Sequence, residues 1–147
     1  MFLHLDLGDL TTIKKSAEEF FSKEDRLDVL WNNAGVMVPS AGSKTADSYE
    51  LQLGTNNVAP FLLTKLLTLL LVKTAKSAPK GSVRVVWVSS SAAEFPSPKN
   101  GIEMENLDHK KDKADWPKYW VSKPVIGIMP QSLLNSIKPT ASPVLSV

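Results

Sequence analysis

The sequence predicts an α/β fold, a parallel β-sheet flanked by helices. Apolar β-prone runs alternate with helical ones, short connections join them, and clusters of Asn or Ser directly follow two of the β-prone runs. A strand–helix–strand order with short links marks a parallel arrangement, because parallel neighbours need a crossover that a helix supplies. With 147 residues, 43% of them hydrophobic, the chain has the length for one domain with a core of its own.

The first run, Phe2 to Leu7, has β character and stops at Gly8-Asp9. A helix follows, with Asp9 or Thr11 placed to cap it. Ile13, Ala17, Phe20 and Phe21 recur at helical spacing, and Lys14, Lys15, Glu18 and Glu19 take the other side. Leu27 to Trp31 is a second strand. Tyr49 to about Lys76 reads as a long helix broken near Pro60, apolar over much of its surface, which suits the core or a contact in a homo-oligomer. The turn Pro79-Lys80-Gly81 leads into Val83 to Val88, a β-branched run and the third expected strand.

Composition excludes several function classes. Seventeen basic and 15 acidic residues leave a net charge of +2, which gives no reason to expect nucleic acid as a partner. No cysteine is present, which excludes disulfides and thiolate metal sites and fits a reducing compartment. His4 and His109 stand apart without metal-ligand spacing, so no metal site is expected. Asp6 comes too early for a secretory signal, and Leu66 to Val72 falls short of the roughly 20 apolar residues of a membrane span, so a cytoplasmic location is expected. Gly42-Ser43-Lys44-Thr45 lacks the upstream glycine and the Gly-Lys pair of a triphosphate-binding loop.

The chemistry concentrates in four places. Tyr119 and Lys123 are four residues apart, so a helix would set a phenol beside an ammonium group. An unperturbed phenol has a pKa of about 10, and a cation within about 4–6 Å favours its ionised form, which gives an acid/base usable near neutrality. Asn32-Asn33-Ala34-Gly35 follows the second strand, and Ser89-Ser90-Ser91 follows the third. Both clusters would lie at the carboxyl edge of the sheet, where open α/β folds bind ligands, and Gly35 would let a ligand approach closely. Asn56 lies in the long helix four residues before Pro60, which has no N–H to offer the Asn56 carbonyl and pushes it aside.

These features in this order resemble the short-chain dehydrogenase/reductase family, in particular its retinol-dehydrogenase-like and fungal-type members, over about residues 1–123. The resemblance implies a Rossmann-type NAD(P)-binding domain and oxidation or reduction of an alcohol/carbonyl pair by hydride transfer. It assigns Tyr119 as general acid/base and Lys123 as the group that lowers its pKa and holds the nicotinamide ribose. It makes Ser90 the hydroxyl that bonds the substrate oxygen and Asn56 the holder of a relay water. Asn32, Asn33, Ala34 and Gly35 become cofactor contacts, with Asp6 and Leu7 at the adenine. The stretch from Pro96 to Lys118 matches the loop that such members insert beside the substrate.

Two departures bear on activity. The Gly-rich phosphate loop and its βαβ segment are missing, so the expected sheet is partial, cofactor binding is expected to be weak, and NAD cannot be told from NADP. The tail, residues 124–147, carries four prolines and one charge where the family continues a helix, and it reads as aberrant or disordered, compatible with an out-of-frame continuation. An NAD(P)-dependent oxidoreductase acting on a small-molecule substrate and a catalytically inactive, partner-binding remnant both stay open.

Overall fold

The computed structural model describes residues 1–91 and residue 106. Its elements in order are α1 (Leu10–Lys23), β1 (Val29–Asn32), α2 (Leu51–Ser77) and β2 (Arg84–Trp87). Helix α1 starts at Asp9, whose extended backbone ends the preceding loop and whose carboxylate accepts the Thr11 amide at 2.9 Å. Asp47, from the turn over residues 43–50, accepts the Leu10 amide at 2.9 Å. Of the two expected caps, Asp9 is the one used.

Strands β1 and β2 pair in parallel, from Val29 opposite Arg84 to Asn32 opposite Trp87. Helix α2 is the crossover that parallel pairing requires. Two apolar clusters hold the layers together. Ile13 and Ala17 of α1 meet Ala59, Leu63 and Leu67 of α2, while Leu71 meets Val83, Val85 and Trp87; Leu27 and Leu30 pack against both clusters. The Leu27 amide donates to Thr74 Oγ1 at 3.0 Å, which ties the approach to β1 to the last turns of α2.

The expected strand over Phe2 to Leu7 does not form. A strand exists through its ladder, and β1 pairs only with β2 among the described residues. The segment's carbonyls are instead claimed by α1. Ser16 Oγ donates to the His4 carbonyl, and Thr12 Oγ1 donates to that of Asp6 at 2.9 Å.

Pro60 does not break α2. The helix runs on through it, and the perturbation sits one turn earlier as a π-helical turn over Gly54–Val58. The wider turn makes room for the pyrrolidine ring against the preceding carbonyls, which a regular α-helix cannot do. The continuous helix of 27 residues is long and apolar enough to span a bilayer, longer than the Leu66 to Val72 run suggested. Here its Leu63, Leu67, Leu70 and Leu71 are buried, as in a core helix.

Gly54 opens the π-helical turn under the 43–50 turn. A Cβ there would lie 2.3 Å from Thr45 Cγ2 and 3.2 Å from Tyr49 Cβ. Thr45 is buried and cannot swing away. The usual gain from Gly→Ala inside a helix, about 1 kcal/mol, is therefore outweighed by overpacking of about 1–3 kcal/mol. Gly54→Ala is expected to lower the urea midpoint at unchanged slope. A midpoint equal to or above that of the parent would show that the 43–50 turn does not press on α2.

Candidate functional site

Because β1 and β2 are parallel and in register, their carboxyl ends finish side by side, and the Val88 amide donates to the Asn32 carbonyl at 3.1 Å across the gap. Asn33, Ala34 and Gly35 leave β1 exposed, and Ser90 leaves β2 half-buried and engaged with a partner. The edge that the sequence marked as a binding edge thus carries both clusters.

Beyond β1 the chain runs back along α2, held by a seam of polar contacts. Asn32 Nδ2 donates to Thr64 Oγ1 at 2.9 Å, and that hydroxyl donates to the Pro60 carbonyl at 2.8 Å. Asn56 Oδ1 accepts the Val36 amide at 2.8 Å, and Asn56 Nδ2 donates to the Val36 carbonyl at 2.9 Å. Gln52 Oε1 then accepts the Val38 amide at 3.2 Å. As the chain advances from 32 to 38, its partners retreat from 64 to 52. An extended residue advances about 3.3 Å and a helical one about 1.5 Å, so each step on the loop matches roughly two on the helix.

Gly35 also meets a constraint that the sequence did not show. A Cβ at this residue would come to 2.7 Å from Asn56 Oδ1, so the missing side chain makes room for Asn56. Asn56 itself is buried with both amide atoms bonded, while the adjacent Asn57 is equally buried and its amide finds no partner among the described residues. Pro60 offers no N–H, so neither the Asn56 carbonyl in α geometry nor the Thr55 carbonyl in π geometry receives a bond from that position.

The remaining residues expected at the site are placed unequally. Asp6 is exposed and turns its Oδ1 to the Gly8 amide at 2.7 Å, and Leu7 packs partly buried against the Ile13 cluster. Tyr119, Lys123 and all of the inserted loop except the buried Asn106 lie outside the described residues. Gln52 and Thr64 were missed by sequence reasoning. Their signal was present, since Gln52, Asn56, Pro60 and Thr64 recur every four residues and so share one face of the helix.

An open parallel α/β unit with a polar carboxyl edge and a crossover helix is the arrangement of the nucleotide-binding α/β folds. The family model described as short chain dehydrogenase matches residues 1–102, and the chain belongs to that family. It is 62% identical over 121 residues to the short-chain dehydrogenase/reductase pkfC of Emericella nidulans, covering 82% of this chain and 38% of that protein. Among solved structures, a Mycobacterium paratuberculosis protein matches at TM-score 0.71 and 31% identity over 96% of this chain and 46% of its own. The Pseudomonas aeruginosa RhlG/NADP active-site complex shares the fold at TM-score 0.60 and 22% identity, over 90% of this chain and 44% of its own. The chain thus spans less than half the length of each of these proteins.

The contact between Gly35 and Asn56 can be isolated energetically. Asn56→Ala leaves the half-buried Val36 amide and carbonyl unpaired, at a cost of about 1–3 kcal/mol. Gly35→Ala displaces the same carboxamide and costs a similar amount. Because both act on one contact, the double variant is expected to fall short of additivity by about 0.5–3 kcal/mol in urea unfolding. Full additivity would mean that the Gly35 methyl is accommodated without moving Asn56.

Proposed function

We propose that this chain carries the catalytic half of an NAD(P)-dependent oxidoreductase that interconverts an alcohol and a carbonyl. The observation that carries the reading is the Asn56 turn. Its side chain is locked to Val36, and the π-helical turn before Pro60 leaves carbonyls lacking a bond from that position beside the edge that bears Ser90. A carbonyl so released needs a donor, and water is the natural one. In this reading Asn56 holds that water, and Ser90 bonds the substrate oxygen. Tyr119 moves the proton to or from that oxygen, and Lys123 favours the ionised phenol and hands protons to the water.

The cofactor, when bound, supplies or accepts the hydride. The residues present fit one part of it better than the other. The exposed Asn33 amide and the turn at the β1 end suit ribose hydroxyls, and Asn32, Ala34 and Gly35 shape that turn. For a diphosphate the described residues offer little, since the α1 terminus is already filled by the carboxyl groups of Asp9 and Asp47. NAD or NADP is therefore expected to bind weakly to the 147-residue chain, in a cytoplasm-like reducing setting that a cysteine-free sequence suits. The domain boundary at 123 and pairing of copies through the helix at 49–76 belong to the same proposal.

A second reading, an inactive remnant that binds a partner protein, is supported by apolar exposure. Phe2 is 90% and Trp31 65% exposed, two large apolar side chains left open among the described residues.

Titration of NADPH and NADH into the full chain, followed at the Asn33 and Gly35 amides, is expected to shift those signals with affinity weaker than micromolar. Where turnover is measurable, Tyr119→Phe is expected to lower it by about 10²–10⁴-fold. Unmoved amides at millimolar cofactor would favour the remnant, and full turnover with Phe at 119 would overturn the role given to Tyr119.

A further inference from the structure

We infer that Gln52 is a positioning residue, the last rung of the α2 seam, and that it holds Val38 in the left-handed conformation in which the chain leaves the site. Its side chain is 0% exposed, which is rare for an amide on a helix unless it has a task. Its Oε1 accepts the Val38 amide at 3.2 Å, while its Nε2 finds no partner among the described residues, so the side chain is held for its oxygen. Val38 has φ of +49°, a region that β-branched residues avoid and that persists only where surroundings impose it.

The geometry explains why residue 52 does this and its neighbours do not. Asn56 grips Val36 through both amide atoms, and Gln52 lies four residues earlier on the same helix. Residues 56 and 52 lie one turn apart on the helix, so their side chains meet amides two residues apart on the facing segment, at 36 and 38. Gln has one methylene more than Asn and so spans the extra reach created as the chain turns away at Val38. Met37, between the two gripped residues, stays 59% exposed and is thereby displayed next to the Asn33–Gly35 turn. The use of this device in a reaction rests on the function proposed above, but its existence does not.

The test uses the full chain and needs no cofactor. In the parent, the Val38 amide is expected to exchange slowly and its coupling constant to report positive φ. Gln52→Met keeps the volume and removes the acceptor. It is expected to speed Val38 exchange by about tenfold or more and to change the Val38 coupling, while the Leu27 amide, bonded to Thr74, keeps its protection. Unchanged Val38 exchange and coupling in Gln52→Met would overturn the inference, as would an extended Val38 in the parent, a measurement that stands even if the variant does not fold. A chain that fails to bind NADPH but shows these Val38 effects would sink the proposed function and leave Gln52 in its role.

Discussion

The arrangement of this molecule depends on the buried polar seam between α2 and the segment that leaves β1. Apolar packing fixes which face of α2 turns inward, but it tolerates sliding along the helix axis, because one leucine-rich turn resembles the next. Polar groups do not tolerate it. A buried amide or hydroxyl moved off its partner keeps its desolvation cost and loses its bond. Thr64, Asn56 and Gln52 therefore set the register of helix against loop, and with it the place where Asn33, Ala34 and Gly35 emerge at the sheet edge. Thr64 is fully used as donor and acceptor, which leaves it no second arrangement of equal quality.

The π-helical turn belongs to the same constraint. A proline in mid-helix must shed one carbonyl bond and find space for its ring, and the extra residue in the turn over Gly54–Val58 provides the space. Gly54 and Gly35 serve the two sides of this turn. The first admits the buried Thr45 of the 43–50 turn, and the second admits the Asn56 carboxamide. Neither glycine is where it is to serve a loop's flexibility. Each is a point where two elements come closer than a methyl group permits.

Much of this was legible in the sequence, and the parts that were not share a cause. Helix α1, strand β1 and strand β2 followed from apolar period and β-branched content, and Asp9 was one of two residues marked as the cap. Gln52, Asn56 and Thr64 share a helix face with Pro60, yet only Asn56 and Pro60 drew attention, because a buried polar residue announces itself only once its partner is known. For Gln52 and Asn56 those partners are backbone groups of Val38 and Val36, which no side-chain pattern reveals. Phe2 to Leu7 misled for the converse reason. Its composition is that of a strand, but strand formation is a property of two segments, and α1 takes its carbonyls first. Gly35 was noticed, but its contact with Asn56 was not, since sequence shows that a glycine is present and not which neighbour lies against it.

Electrostatics divide the molecule's two candidate ligand positions. The carboxyl edge of the sheet carries the exposed Asn33, while the amino end of α1 has been closed by acids. Asp9 sits below the ordinary carboxylate range, first through the Thr11 hydroxyl and then through the Thr11 amide. A carboxyl group depressed in this way lends stability above its unfolded pKa and loses it only as pH falls through the lower, folded value. At neutral pH it therefore remains an anion on the amide that a phosphate would need, with Asp47 on the next one. An anionic ligand approaching α1 would have to displace two carboxyl groups of like charge. The amino end of α1 is thus a structural terminus, its Leu10 and Thr11 amides satisfied by the chain's own acids.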